Sequence, residues 1–138
     1  MSLALDADQL AFLSARKWAV LGTGRADGSP QLSTVAYAWD GEAILVSVKA
    51  YTAKWKNALR QPRVCLVVNE DRKQLVVYGD AECIDEDPAR LEHTLAVLRV
   101  LTGDAELGRE DPNSFLPMCN DQQRTVLRIV PAKALMND

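Results

Sequence analysis

The sequence is poor in the residues that build metal sites and disulfides. Among its 138 residues there are one histidine, His93, and three cysteines. A single histidine excludes a multi-histidine metal site within one chain, and the wide spacing of Cys65, Cys83 and Cys119 fits neither a disulfide framework nor a zinc knuckle. Cys65 and Cys83 lie in strand-like runs, where buried, inert thiols are typical. We therefore expect no metal ion and no cysteine nucleophile.

Long hydrophobic runs are absent as well. The longest uninterrupted apolar stretches contain about five residues, whereas a membrane-spanning helix needs ~20. The segment from Met1 to Asp6 also lacks the basic and apolar regions that are typical of a signal peptide. These absences predict a cytoplasmic protein that does not enter a membrane.

Catalytic motifs are missing too. No Gly-x-Ser-x-Gly, Walker or dinucleotide-binding motif occurs. Hydroxyl residues such as Ser33, Thr34 and Ser47 are more typical of hydrogen-bonded strand residues than of nucleophiles. The catalytic residues therefore stay unknown, and if the protein is an enzyme, we expect a bound cofactor to carry the chemistry.

The sequence does contain enough apolar material for one core. Apolar residues make up 48% of the chain and charged residues 25%, which is ordinary for a folded domain. A chain of this length fits one domain rather than two. We predict a single domain over residues 1–138.

The order of the predicted elements indicates an antiparallel β-structure with peripheral helices. The turn signals Asp27-Gly28 and Asp40-Gly41 join the first three strands into a meander. One helix is capped by Asp6, a second by Thr52, and a long third helix starts at Asp87-Pro88. The six strands are predicted at residues 18–23, 31–39, 43–49, 64–69, 74–83 and 125–130, the last ended by Pro131. The pattern predicts a mainly β fold with α-helices, an α+β protein built on a small closed or half-open barrel.

The charge is unevenly distributed. The chain has 16 basic and 19 acidic residues and a net charge of −3. Residues 43–69 nevertheless contain no acidic residue, and they carry the five basic residues Lys49, Lys54, Lys56, Arg60 and Arg63. This asymmetry predicts a local anion site on an acidic protein. A nucleic-acid site is not favoured, because the basic stretch is short and the isoelectric point is near 5.2.

The start of the second helix is the best candidate for the anion site. With Thr52 as N-cap, the free N–H groups of the first turn point to the same region as the Lys54 ammonium group. That combination suits a phosphate. The alternative is that Lys54, Lys56 and Arg60 form a solvated helix face without a ligand.

Two segments together resemble a known family. They are Asp27-Gly-Ser-Pro-Gln-Leu-Ser-Thr-Val-Ala-Tyr37 and Ala53-Lys-Trp-Lys-Asn-Ala-Leu-Arg-Gln-Pro-Arg63. They resemble the pyridoxamine 5′-phosphate oxidase-like split-barrel proteins, the flavin/deazaflavin oxidoreductases, and most of all the branch of F420-dependent enzymes. The likeness extends over nearly the whole chain. It implies a six-stranded antiparallel split β-barrel that forms a homodimer with two cofactor sites at the interface.

The resemblance also implies which residues contact the cofactor. Lys54 matches the lysine that binds the cofactor phosphate, and Ala53 and Asn57 belong to the same cradle. Polar strand residues would approach the ring and its ribityl chain, and the middle of the third strand would line the ring edge. The implied cofactor-binding positions are Gln31, Ser33, Thr34, Val46, Ser47, Val48, Thr52, Ala53, Lys54, Lys56 and Asn57.

The departures from the family pattern bear on the cofactor. Family members often carry arginine at the positions of Thr52 and Lys56, and this chain has neither guanidinium group. Flavin-binding oxidases of the superfamily also carry an arginine on the strand that corresponds to residues 31–39, which has no basic residue here. That absence favours coenzyme F420 over FMN. The oligoglutamate tail of F420 could meet Lys49, Lys56 and Arg60.

Three functions follow as hypotheses. The first is an F420-dependent reductase that transfers a hydride from the reduced deazaflavin to a conjugated small-molecule acceptor. The second is an FMN-binding protein related to pyridoxamine 5′-phosphate oxidase. The third is a non-catalytic module that only binds a cofactor. The sequence does not identify the acceptor.

Overall fold

The computed structural model describes residues 4–137. Within that range the chain forms six β-strands, four α-helices and one 3-10 turn. In chain order these are α1 (Ala7–Ser14), β1 (Trp18–Gly24), β2 (Pro30–Trp39), β3 (Ile44–Lys49), α2 (Ala53–Arg60), β4 (Arg63–Glu70), β5 (Lys73–Ile84), α3 (Ala89–Thr102), the 3-10 turn (Pro112–Phe115), α4 (Leu116–Asp121) and β6 (Arg124–Asn137).

The six strands form a closed barrel in the order β1-β2-β3-β6-β5-β4. Every neighbouring pair is antiparallel, and pairing between β1 and β4 closes the cylinder. Asp40 shapes the β2–β3 turn, since its carboxylate accepts hydrogen bonds from the N–H groups of Glu42 and Ala43. The predicted mainly β fold with a six-stranded antiparallel barrel is confirmed, and the barrel is closed rather than half open.

The barrel interior is apolar and is covered at one end by α1. Inward-facing residues such as Leu21, Val46 and Leu66 are fully buried. The hydroxyl group of Tyr37 donates to the carbonyl oxygen of Leu13 at 2.6 Å, which ties the end of α1 to β2. Burial raises the pKa of Tyr37 well above its usual value. The predicted cap at Asp6 is confirmed, since its carboxylate accepts from the N–H of Gln9.

Strand β6 is longer than the sequence suggested. The prediction that Pro131 ends the strand is wrong, because β6 continues to Asn137. The register shifts between Tyr78 and Gly79 on β5, so Ala132 has no partner there and the ladder passes the proline through a bulge. A side chain at Gly79 would collide with the Val130 carbonyl oxygen, so only glycine permits this close approach.

Helix α3 lies outside the barrel, against β2, β3 and β6. Its Val97 packs on Ala38, Leu45 and Val126. It begins at Ala89, one residue later than predicted, so Pro88 is the N-cap and not the first helical residue. No helix among residues 4–137 is long and apolar enough to cross a membrane.

The far side of α3 carries two connecting elements, the 3-10 turn and α4. Leu91 and Leu95 of α3 form a small core with the buried Cys119 of α4. The segment that follows α3 therefore contains two consecutive short helical pieces. Together with α3 they build a second wall opposite the outer face of the barrel.

Candidate functional site

A pocket of about 800 Å³ lies between the outer face of the barrel and this second wall. β2 and β3 supply one side, and α3 supplies the other. The segment that leads into α2, the first residue of β6 and the elements that follow α3 also contribute to the lining. Tyr51 and Trp18 line the pocket and are each about half exposed, so the pocket opens to solvent beside two aromatic rings.

The pocket walls are mostly apolar. Leu98 and Leu101 of α3 line one side, Ala36 of β2 lines the other, and Phe115 adds an aromatic ring from the 3-10 turn. Such walls suit a flat, conjugated molecule, which loses its contact with water on both faces when it enters.

The charged groups of the pocket are all basic. Lys49, Lys54 and Arg124 line it, and no aspartate or glutamate of the described residues does. In the part of the chain that the structure describes, none of the three forms an ion pair with a carboxylate. The pocket therefore has uncompensated positive charge that favours an anionic ligand.

The start of α2 contributes both charge and unbonded backbone. Thr52 occupies the N-cap position, but its hydroxyl donates to the Lys49 carbonyl oxygen at 2.7 Å and does not cap the helix. No side chain of the described residues caps the first turn of α2. Its N–H groups are therefore available to an anion beside Lys54.

Arg124 brings a guanidinium group to the same pocket. It lies opposite Lys49 in the β3–β6 ladder. Its Nε donates to Gln122 at 2.8 Å, and one terminal nitrogen lies 3.4 Å from the Ser47 hydroxyl oxygen. These neutral partners orient the planar group without neutralising it.

The residues implied by the resemblance separate into groups. Five of them line the pocket: Thr34, Ser47, Val48, Thr52 and Lys54. Val46 is buried in the barrel core, and Ser33 has the same inward strand parity as the core residue Val35. Ala53 and Lys56 are exposed on α2 and do not line the pocket.

Gln31 and Asn57 lie in a polar cluster beneath α2. The Asn57 amide nitrogen donates to the Thr23 hydroxyl at 3.1 Å and to the Gln31 side-chain oxygen Oε1 at 3.2 Å. Arg60 donates to the Asn57 oxygen at 3.0 Å and to the Gly24 carbonyl at 2.8 Å. We call these side chains the α2 cluster. Its hydrogen bonds fasten the helix to β1 and β2.

Several pocket residues escaped the sequence analysis. Leu98 and Leu101 of the long helix line the pocket and were not among the predicted site residues. Thr94 and Arg124 were not singled out, because nothing local in the sequence shows that α3 and β6 meet beside β3. The uneven charge did point to Lys49 and Lys54.

The cysteines do not take part in the pocket. None of the three lines it. Burial raises the pKa of each thiol, and the nearby Asp85 carboxylate raises that of Cys83 further. The thiols are therefore protonated at neutral pH, which agrees with inert cysteines.

Comparison with known proteins places this architecture in a family. A family model described as pyridoxamine 5′-phosphate oxidase matches residues 5–136. The chain belongs to this family. The match covers the barrel, the pocket and the helices around it.

Solved structures with the same fold have varied descriptions. The conserved hypothetical protein Rv2991 from Mycobacterium tuberculosis has a TM-score of 0.78 and 26% identity, over 99% of this chain and 86% of that one. An F420 reductase has a TM-score of 0.71 and 21% identity, over 95% and 98%. The heme storage protein HutZ from Vibrio cholerae has a TM-score of 0.67 and 20% identity, over 96% and 94%. The last two likenesses show the fold alone.

Proposed function

We propose that the protein is an oxidoreductase that uses coenzyme F420 to reduce a conjugated small-molecule acceptor. The observation that carries the proposal is the pocket, which combines apolar walls with three basic side chains that pair with no carboxylate of residues 4–137. Family membership supports a redox role, since its model is described as an oxidase. When bound, the reduced deazaflavin would supply the hydride.

The residues of this chain would bind and orient the cofactor. Lys54 and the first-turn N–H groups of α2, including that of Ala53, would hold the phosphate. Thr34, Ser47, Val48 and Thr52 line the same pocket and would contact the rest of the molecule. Gln31, Ser33, Val46 and Asn57 would support this wall from the barrel side. The exposed Lys56 would act at longer range through its charge.

The choice of F420 over FMN rests on the positive charge and on β2. Among the predicted contacts for an oligoglutamate tail, Lys49 lines the pocket and Lys56 is exposed nearby on α2, whereas Arg60 is engaged in the α2 cluster. β2 offers no guanidinium group to a flavin. FMN is the alternative, because Arg124 could contribute one from β6, and a module that binds a cofactor without turnover is the second alternative.

A heme site is less well supported, although HutZ shares the fold. Heme iron needs an axial ligand, most commonly histidine. The single histidine, His93, does not line the pocket. The pocket chemistry therefore favours an anionic, planar organic cofactor.

We also propose a homodimer with the pocket at its edge. Val20, Val67, Val76 and Leu135 are cross-strand neighbours on the outside of the barrel and form an apolar row. The row ends at Thr34, the partner of Val20 and a pocket residue. A second copy that covered this face would bury the row and narrow the pocket mouth. Light scattering on the purified protein should give the mass of a dimer, and a monomer at all concentrations would contradict the proposal.

The first experiment is a titration of the purified protein with oxidised coenzyme F420 and, separately, with FMN. The fluorescence of each ligand reports binding, at low and at moderate salt. We expect tighter binding of F420 that weakens as salt increases, because part of its charge is held by exposed lysines. Preferential FMN binding would assign the protein to the flavin alternative. Binding of neither ligand would refute the proposed function, and binding without turnover of any acceptor would leave the carrier alternative.

A further inference from the structure

The hydroxyl group of Thr94 has no hydrogen-bond partner in the part of the chain that the structure describes. Thr94 lies on α3, is 1% exposed and lines the pocket. Within residues 4–137 its oxygen is the single buried side-chain polar atom without a hydrogen bond. A buried polar group without a hydrogen bond lowers the stability of the folded protein. Such groups are rare, so an unpaired hydroxyl beside a cavity needs a physical explanation.

Other threonines show how unusual this is. On the same helix, the Thr102 hydroxyl donates to the Leu98 carbonyl oxygen at 2.7 Å, which is the common bond to the preceding turn. The buried Thr125 hydroxyl donates to the Val48 carbonyl oxygen at 3.2 Å. The Thr94 hydroxyl does not donate to a carbonyl oxygen of the preceding helical turn in this way. Its hydroxyl is therefore left for a partner in the pocket.

Thr94 lies on an apolar part of the pocket wall. Its neighbours on this wall, Val97 and Leu98, offer no polar side-chain group. A buried water usually needs two to four hydrogen bonds. A ring can bond to Thr94 through its polar edge while its apolar body fills the rest of the space. A hydroxyl can also donate or accept, so it can serve a ring carbonyl or a ring N–H.

We propose that Thr94 binds the polar edge of the cofactor ring and so helps to determine which ring the pocket accepts. This inference rests on the proposed function, because it assigns a second contact within the same pocket. Lys54 holds the anionic end, and Thr94 holds the ring at the wall opposite the barrel. The two contacts together fix the orientation of the molecule, which a charge alone does not do.

The test compares Thr94→Ser with Thr94→Ala by fluorescence titration with F420. Both variants lose the methyl group, so the difference between them isolates the hydroxyl. We expect serine to bind within about twofold of the wild type and alanine to bind about five- to tenfold more weakly. Equal affinities of the two variants would overturn the assignment of Thr94 while leaving the F420 proposal intact. Failure of the wild type to bind F420 or FMN would overturn both.

A phosphate-free ligand separates the two contacts. With the deazaflavin core that lacks the phosphate and tail, the difference between serine and alanine at position 94 should persist. The effect of Lys54→Met should vanish with the same ligand. A difference at position 94 that disappears together with the phosphate would contradict a ring contact.

Stability of the ligand-free protein gives a readout that does not depend on binding. Thr94→Val keeps the shape and removes an unpaired hydroxyl, so its thermal midpoint should equal or exceed that of the wild type. Thr125→Val is the matched control, since it removes a paired hydroxyl and should lower the midpoint. If Thr94→Val lowered the midpoint as much as Thr125→Val, the hydroxyl would have a protein partner and the inference would fail.

Discussion

The two ends of the eight-residue helix α2 treat their polar residues in opposite ways. At the C-terminal end, Asn57 and Arg60 use their side chains to bond to each other and to β1 and β2. At the N-terminal end, Lys54 points into the pocket region and has no ion pair within the described part of the chain. Two residues of one motif, three positions apart, therefore have different roles. Asn57 attaches the helix to the barrel, and Lys54 remains available to bind a ligand.

The division is also visible in burial. Asn57 is buried, and its amide nitrogen donates to Thr23 and Gln31, so the amide cannot also face a ligand without breaking these bonds. Lys54 is only partly buried and keeps its ammonium group accessible. Affinity and stability should therefore respond separately to changes at the two positions, which makes the comparison testable.

The largest effect is expected on stability, at Asn57 in the C-terminal half of α2. Asn57→Ala removes the centre of the α2 cluster and leaves Thr23 and Gln31 with only the long 3.4 Å bond between their side chains. We expect the free energy of unfolding to fall by about 2–3 kcal/mol, measured by denaturation with urea. Asn69→Ala, at an exposed position on β4, is the control and should change little. If Asn57→Ala left stability unchanged and abolished F420 binding, Asn57 would be a ligand contact and not an attachment of the helix.

The second largest effect is expected at Lys54, at the N-terminal end of α2. Lys54→Met removes the positive charge that we propose for the phosphate, and we expect F420 to bind about 10- to 30-fold more weakly. The free energy of unfolding should change by less than about 0.5 kcal/mol, because no partner is left unpaired.

Lys17→Met is the matched control for that variant. It removes the same charge from an exposed residue that does not line the pocket. A loss of affinity as large as that of Lys54→Met would show that F420 responds to net charge alone and not to a phosphate contact at α2.

The sequence predicted the local parts of this structure well, for identifiable reasons. Asp27-Gly28 and Asp40-Gly41 are strong hairpin signals, and both hairpins formed. The closing contacts of the barrel join β1 to β4 and β3 to β6, which are distant in sequence. No local pattern specifies those pairs, and the family resemblance implied a six-stranded barrel without saying which strands pair.

The candidate site divides along the same line. Lys54 was found because a gap in acidic residues and a capping pattern are both local features. Arg124 and Thr94 reach the pocket only because β6 pairs with β3 and α3 packs over them. The prediction that Pro131 ends β6 failed for a related reason. The bulge that accommodates the proline depends on Gly79 of another strand.

The smallest expected effect concerns a second fastened group, at the start of α3. Asp87 forms an ion pair with the buried Arg90, which also donates to Asn120 of α4 at 2.8 Å. The hydrogen bond and charge of Arg90 lower the pKa of Asp87 below its usual value. This pair fixes the wall of the pocket that carries Thr94.

The sign of the pH dependence follows from that lowered pKa. Because the folded protein favours ionised Asp87, its contribution to stability is complete at neutral pH and is lost as pH falls below about 4. The carboxylate is partly exposed and screened by water, so we expect wild type to exceed Asp87→Asn by less than about 1 kcal/mol at pH 7. Thermal melts from pH 7 to pH 3 should show the two proteins converging at the acidic end. A difference that stayed constant over this range would mean that the charge of Asp87 does not contribute, and that only its hydrogen bonds fasten α3.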